Sequence, residues 1–199
     1  MKMVLASQNA HKLTEMSHIL SAYGVELVLQ SELGLRVEVE ETGSTFEENS
    51  LLKAKAVMEA SGLPAIADDS GLCVDALGGA PGVYSARYGR EGLTDRERYT
   101  LLLENLKGQL DRRAKFVSVV TLCFPNGDVL TARGECHGTI AYAPQGENGF
   151  GYDPVFFVTA ARKTFAQLTE EEKNALSHRG NALKEFKMKL EAYLDGTDK

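Results

Sequence analysis

Two adjacent carboxylates, Asp68 and Asp69, sit in the stretch Ala65-Ile-Ala-Asp-Asp-Ser-Gly-Leu72, where a short apolar strand runs into a Ser-Gly pair. Extended backbone points successive side chains to opposite faces, so the two carboxylates diverge. A glycine two residues past Asp69 permits a sharp bend, and the sequence places a turn at Ser70-Gly71. Carboxylates at such an edge suit a hard cation such as Mg2+, which prefers oxygen ligands and keeps several waters. One solvated Asp and one turn cap would account for the same pair.

Other stretches offer complementary chemistry. Ser7-Gln-Asn-Ala-His-Lys12 leads from a strand end to a helix start, where free backbone N–H groups, a hydroxyl, an amide and a lysine favour a phosphate. It is not a Walker loop, and Asn9 as a helix cap with Lys12 in solvent explains it equally. Asn49 and Lys53 lie one helical turn apart and share a face. Lys53 there is either an anion contact or a snorkelling side chain. Upstream, Glu38, Glu40 and Glu41 form a solvated acidic loop or supply a third carboxylate for a metal.

Gly149-Phe-Gly-Tyr-Asp153 sets two aromatics and an acid among glycines, a pattern that admits a flat heterocycle against an aromatic face. Phe150 closing the core under a loop is the plainer alternative. Lys173 and Ser177-His-Arg-Gly180 add cationic donors at a second helix start, for carbonyl or phosphate oxygens or as a surface pair. His18 and His137 have no suggestive neighbours. Phosphate donors, an acid pair, an aromatic clamp and polar base readers together make the inventory of a nucleoside triphosphate site.

The elements that must position these groups follow from patterning. Lys2–Ser7 reads as a buried strand, followed by the polar loop Gln8–Lys12 and a helix with Leu13, Met16, Leu20 and Tyr23 along one face. Val25, Leu27 and Leu29 alternate as a second strand. Thr45-x-x-Glu48, Thr94-x-x-Glu97 and Thr169-x-x-Glu172 are capping boxes opening three more helices. Ala65–Ala67 and Leu72–Val74 read as short strands flanking the acids. Pro125-Asn-Gly127 joins two long β patterns, Lys115–Phe124 and Asp128–Tyr142, as a hairpin. Pro154–Val158 is a short strand, and a last helix follows Ser177. The expectation is an α/β fold, a mixed central sheet with flanking helices, in a single domain over 1–199.

The chain of 199 residues carries 22 basic and 28 acidic side chains, a net charge of −6. That balance argues against a nucleic-acid surface. No apolar run approaches the ~18 residues of a membrane span. Cys73, Cys123 and Cys136 lack metal-site spacing and read as reduced thiols, which points to the cytoplasm.

Ser7-x-Asn9-x-x-Lys12, Glu41-Thr-Gly43, Phe46-x-x-Asn49-x-x-x-Lys53, Ala67-Asp-Asp-Ser-Gly-Leu72, Gly78-Gly-x-Pro-Gly-x-Tyr-Ser-Ala-Arg-Tyr88, Gly149-Phe-Gly-Tyr-Asp-Pro154 and Ser177-His-Arg-Gly180 occur in that order along nearly the whole chain. In this the sequence resembles the inosine/xanthosine triphosphate pyrophosphatase family. The resemblance implies an elongated two-lobed fold with a cleft between the lobes, usually as a homodimer. It further implies Mg2+-dependent cleavage of ITP, dITP and XTP to monophosphate and pyrophosphate.

Position by position, Ser7, Gln8, Asn9, Ala10, His11, Lys12 and Lys53 resemble the phosphate-side substrate contacts, and Ser70 a further one. Glu41 and Asp69 resemble the metal-linked carboxylates, with Asp69 the catalytic proton acceptor. Phe150, Gly151, Tyr152, Asp153, Lys173, His178 and Arg179 resemble the nucleoside contacts. Two departures are small: Ser7 is often Thr in the family, and His11 is often a small residue. The rival readings are a pyrophosphatase for modified pyrimidine triphosphates, which would not need the base elements, and a non-catalytic nucleotide sensor, which would not need the acids.

Overall fold

The computed structural model describes residues 1–7, 10–21 and 24–196, with the side chains of Ala10, His11, Glu15, His18 and Ile19 outside that description. The expected roles of Gln8 and Asn9, and the packing of Tyr23, therefore fall outside the described residues, as do the side-chain roles of Ala10 and His11.

Among the described residues, seven strands form one mixed sheet in the order β2-β1-β3-β4-β5-β6-β7. They are β1 (Lys2–Leu5), β2 (Glu26–Leu29), β3 (Ala65–Val74), β4 (Arg113–Cys123), β5 (Val129–Ile140), β6 (Phe156–Val158) and β7 (Lys163–Thr164). The α-helices of the described residues are α1 (Ala10–Ser21), α2 (Phe46–Ser61), α3 (Asp95–Asn105), α4 (Glu170–Leu176) and α5 (His178–Leu194). The α/β expectation holds. β1 pairs in parallel with both β2 and β3, whereas β5–β6 and β6–β7 are antiparallel.

All three predicted capping boxes form, with Thr45, Thr94 and Thr169 each accepting from the backbone N–H three residues on. The Pro125-Asn-Gly127 turn closes as expected, Phe124 N–H donating to Asp128 O at 2.9 Å, with Gly127 at φ 96°.

Two expectations are corrected. No turn interrupts the acid pair: β3 runs unbroken from Ala65 to Val74, so Ala65–Ala67 and Leu72–Val74 are one strand. β3 is an interior strand between β1 and β4, and Gly71 is not among the glycines with positive φ. β1 pairs with β3 only at Val4–Ala65 and Leu5–Ile66 and does not reach Gly71, yet Ser70-Gly71 stays extended within β3, because a glycine permits a bend without imposing one. The polar loop before α1 is also shorter than read, because the helix begins at Ala10 and takes His11 and Lys12 into its first turn. Residues there need no helical N–H partner, and Ala and Lys are good helix formers. β7 had no counterpart in the patterning, since two residues show no period.

The chain divides into two compact units. The first comprises residues 1–69, 118–134 and 182 onward. On one sheet face Met3, Leu5, Ile66, Val120 and Leu122 pack with Met16 and Leu20 of α1 and Leu183, Phe186 and Leu190 of α5. On the other face Val4, Val28, Ala65 and Ala67 meet Ala54 and Val57 of α2. Opposite faces for α1 and α2 follow from right-handed crossovers, since the chain moves one way from β1 to β2 and the other way to reach β3. Each fully buried Leu or Phe here contributes about 1.5–3 kcal/mol.

The second unit comprises residues 70–117 and 135–181. Its core gathers Leu72 and Val74 of β3, Leu102 and Leu106 at α3, Phe116 of β4, and Tyr152, Phe156 and Phe165.

Candidate active site

In the first unit, the parallel order β2-β1-β3 makes a topological switch point, because successive connections leave β1 in opposite directions. Open α/β sheets bind ligands beyond the carboxyl ends of strands at such a point. β1 pairs with β3 only as far as Leu5–Ile66, so β3 runs on past it and carries Asp68 and Asp69 to the level of the β1–α1 junction. Strand alternation then sorts the acids. Asp68 follows Ile66 onto the α1 face, and Lys12 of α1 reaches its carboxylate at 2.7 Å. Asp69 follows Ala67 onto the α2 face, where Lys53 of α2 lies 3.0 Å from its Oδ1. The divergence predicted for the pair is what the strand produces.

Lys53 Nζ also donates to Glu41 Oε1 at 2.6 Å, so one ammonium bridges two carboxylates from different segments. The Glu41 segment is itself anchored on α2. Gly43 N–H donates to Asn49 Oδ1 at 2.8 Å, and a Cβ on Gly43 would lie 2.6 Å from that oxygen, so only glycine fits. Burial pushes the Asp69 carboxyl up from the usual range, and the Lys53 charge only partly offsets it. For Lys53, burial alone would lower the pKa, but Asp69 and Glu41 together raise it above the ordinary lysine value.

Asp69 is 7% exposed, and its Oδ2 has no protein partner. A buried acceptor left open beside Glu41 fits a hard cation. Among the described residues no three His, Cys, Asp or Glu side chains converge as a ready-made cage. Mg2+ does not need one, as it is commonly held by one or two carboxylates plus substrate phosphates. Ser7, just past β1, is half-buried.

In the second unit, the nucleoside candidates gather around Asp153. Its carboxylate is buried and accepts from Phe150 N–H at 3.0 Å and from Lys173 Nζ. Burial raises its pKa despite Lys173, with the Arg179 charge acting against the rise. Gly149 makes the wrap possible: its φ is 75°, and a Cβ there would meet Asp153 Oδ2 at 2.0 Å. Lys173 Nζ stands 4.9 Å from the Phe150 ring centre and 5.4 Å from that of Phe165. Phe150 is 53% exposed, so it does not close the core.

Tyr152 fills that role. Its ring is buried, its hydroxyl donates to Ser85 O at 2.8 Å, and burial pushes its phenol up. It therefore presents backbone rather than an aromatic face. His178 stacks on Phe116 with ring centres 4.7 Å apart, which fixes the imidazole plane beside a buried Arg179. Ser70 of β3 is half-buried at the start of this unit.

Gly180 in the Ser177-His-Arg-Gly180 turn is required sterically, since a Cβ would lie 1.9 Å from Asn174 O. Gly180→Ala is expected to destabilise the protein by about 1–3 kcal/mol, the usual range for overpacking, read as a fall in thermal midpoint. An unchanged midpoint would show that the turn yields freely.

The structure thus brings Lys12 to Asp68, and Lys53 to Glu41 and Asp69, in one unit. In the other it brings Phe150, Asp153, Lys173 and Arg179 together. Two residues escaped the sequence reading. Asp95 Oδ2 accepts from Gly151 N–H at 2.7 Å and is held by Arg98 Nη1 at 2.7 Å, pinning the Gly149–Asp153 loop to α3. Ser85 Oγ accepts from Leu72 N–H at 2.8 Å. The Thr94 capping box placed Asp95 at a helix start, but nothing local names its partner. His137, read as lacking suggestive neighbours, lies 3.2 Å from Glu135, which also pairs with Lys115.

The model of the Ham1 family matches residues 3–189. A dITP/XTP pyrophosphatase of Thermus thermophilus is 52% identical over 199 residues, covering 98% of this chain and 93% of its own. One from Shigella flexneri is 51% identical over 187 residues, 92% of this chain and 94% of its own. Among solved structures, the Staphylococcus aureus Ham1 protein superposes with a TM-score of 0.92 at 44% identity, over 97% of this chain and all (100%) of its own. A nucleoside-triphosphatase (dITP/XTP pyrophosphatase) of Mycobacterium abscessus gives 0.79 at 47% identity, over 92% and 97%. With the family model matching residues 3–189 and relatives about half identical over nearly the whole chain, this chain belongs to the Ham1 family.

Proposed function

We propose that the protein hydrolyses deaminated purine nucleoside triphosphates (ITP, dITP and XTP) to the monophosphate and pyrophosphate, and so removes them from the nucleotide pool. The observation that carries this reading is the Lys53 bridge between Glu41 and Asp69 beside the Lys12–Asp68 pair, past the carboxyl end of β1 and midway along β3. Two lysines meet the charge of a triphosphate, and a buried carboxylate meets the need for a base. The relatives' names supply the substrate class.

A water attacks the α-phosphorus in line and gives a proton to Asp69. The bond from the α-phosphorus to the bridging oxygen breaks, and its electron pair leaves with pyrophosphate. Lys12 and Lys53 stabilise the charge that builds on the departing group. Glu41 and Asp69 would hold Mg2+, which when bound offsets triphosphate charge. Phe150 offers an aromatic face for the base, and His178 and Arg179 offer donors for its carbonyl edge.

Initial rates with ITP, ATP and UTP under Mg2+ test the reading. ITP turnover with little from the other two supports it. Comparable turnover of UTP would favour a pyrimidine enzyme, and none at all a sensor.

The pH profile follows from the Asp69 environment. A carboxyl raised by burial takes up its proton at a higher pH on acidification, so without Mg2+ the acid limb of the Asp69 titration, read by NMR, is expected above the ordinary Asp value of about 3.9. Lys53 lowers that pKa, so Lys53→Gln is expected to move the limb further up. A limb that moves down would contradict the assignment.

Homodimerisation is part of this proposal. Tyr84 is exposed, with the Arg87 guanidinium 5.1 Å from its ring, and aromatic and Arg side chains are favoured at interfaces. Light scattering that reads only 21.7 kDa would reject it. A cytoplasmic setting is proposed on the three free thiols. No helix among the described residues is long and apolar enough to cross a membrane.

A further inference from the structure

We propose that Asp95 is a positioning residue for the nucleoside: by holding Gly151 N–H it fixes the Gly149–Asp153 loop with Phe150 set to receive the base. This role builds on the function proposed above.

Phe150 stands exposed between two glycines of left-handed backbone, Gly149 at φ 75° and Gly151 at φ 62°. Glycine loses more conformational freedom on ordering than any other residue, so a ring flanked by two of them is placed only if both are held. Gly149 is held by packing, because the Asp153 carboxylate fills the space where a Cβ would stand. Gly151 is not, since a Cβ there would meet nothing within 4 Å among the described residues. Beyond it the Tyr152 ring is buried and its hydroxyl donates to Ser85 O at 2.8 Å. The Gly151 peptide is therefore the joint on which Phe150 would turn. A hydrogen bond closes that joint, Gly151 N–H donating to Asp95 Oδ2 at 2.7 Å.

That anchor lies outside the loop. Phe150 N–H donates to Asp153 within the loop itself, whereas Asp95 belongs to the first turn of α3, 56 residues away in the chain. Asp95 is braced in turn. Its Oδ1 accepts from Arg98 Nη1 at 2.7 Å, and Arg98 Nη2 donates to Leu93 O at 2.7 Å. The Arg98 side chain is only 12% exposed, so the brace is set in the protein rather than in solvent. Each carboxylate oxygen of Asp95 has its own partner, and a charged acceptor binds a backbone N–H more strongly than a neutral one. A platform ordered beforehand spares the ligand the cost of ordering it on binding. The alternative is that Asp95 only supplies the negative charge that a helix start favours.

Asp95→Ala separates the two roles. The Asp95 side chain is half exposed and the Thr94–Glu97 capping box remains, so the variant is expected to fold. Turnover of ITP is measured together with inhibition by IMP, which carries the base, and by pyrophosphate, which does not. KM for ITP and the inhibition constant of IMP are each expected to rise about tenfold, the scale of an added ordering cost. The value of kcat and the inhibition constant of pyrophosphate are expected to stay within about threefold of wild type. A lowered thermal midpoint with KM unchanged would assign Asp95 to the helix start and overturn the inference. Equal weakening of IMP and pyrophosphate would overturn it too, while ITP turnover by the wild type left the proposed function standing. Failure of the wild type to release pyrophosphate from ITP would overturn both.

A crystal structure of the wild type with IMP decides the point even if the variant does not fold. The base is expected against the Phe150 ring with Gly151 N–H still bonded to Asp95. A base bound away from Phe150, or that bond opened, would overturn the inference.

Discussion

Asp69→Asn is expected to lower kcat for ITP by about 10²–10⁴-fold, the range for loss of a general base, while the protein stays folded. The amide is nearly isosteric with the carboxylate but cannot accept a proton at neutral pH. Lys53 keeps its 2.6 Å partner Glu41 in this variant, so its buried ammonium is not left alone. Loss of a merely structural carboxylate would lower the thermal midpoint and spare kcat. Asp68→Asn tests the division of labour between the acids, because Asp68 faces Lys12 on the opposite face of β3. Near-wild-type turnover in Asp69→Asn would remove Asp69 from the chemistry.

The second large effect concerns choice of base. Hypoxanthine and xanthine present a carbonyl oxygen at position 6, where adenine presents an amino group. Fixed donors pair with the first and face another donor in the second. A buried site built on such bonds discriminates by about 10⁴–10⁵-fold. Arg179 is buried beside Asp153, and His178 is held flat on Phe116, so both donors are presented on a rigid frame.

A hydrogen bond from a charged donor contributes about 1.5–3 kcal/mol, so Arg179→Ala is expected to cut kcat/KM for ITP by about 10–10²-fold. Residual ATP turnover is expected to stay nearly constant, which narrows the ITP-over-ATP ratio. Lys12→Ala, in contrast, is expected to weaken every triphosphate alike. Equal losses for ITP and ATP in Arg179→Ala would show that Arg179 reads phosphate instead of base.

What was legible in the sequence was local. Capping boxes at Thr45, Thr94 and Thr169 declare themselves within four residues, and the Pro125-Asn-Gly127 turn within three. The opposite orientation of Asp68 and Asp69 also needs only strand alternation. The error at Ser70-Gly71 had the opposite origin: whether a glycine bends depends on the sheet it is built into, and β4, the strand that follows β3 in the sheet order, comes from a distant part of the chain.

Partnerships across the chain were hidden for the same reason. Lys12 meets Asp68, and Asp95 meets Gly151 across 56 residues, only because the topology brings their elements together. Phe150 and Tyr152 look alike in sequence, and only burial separates the exposed ring from the one that fills the core. Spacing alone sets Asn49 on the same face as Lys53, but its bond to Gly43 does not follow from spacing.

The central claim is hydrolysis at the α-phosphorus of a deaminated purine triphosphate. Turnover of ITP with Mg2+ in 18O-labelled water, with products resolved by mass spectrometry, tests it most directly. Attack at the α-phosphorus predicts labelled IMP, unlabelled pyrophosphate and no orthophosphate. Release of orthophosphate with IDP, or label recovered in pyrophosphate, would contradict it.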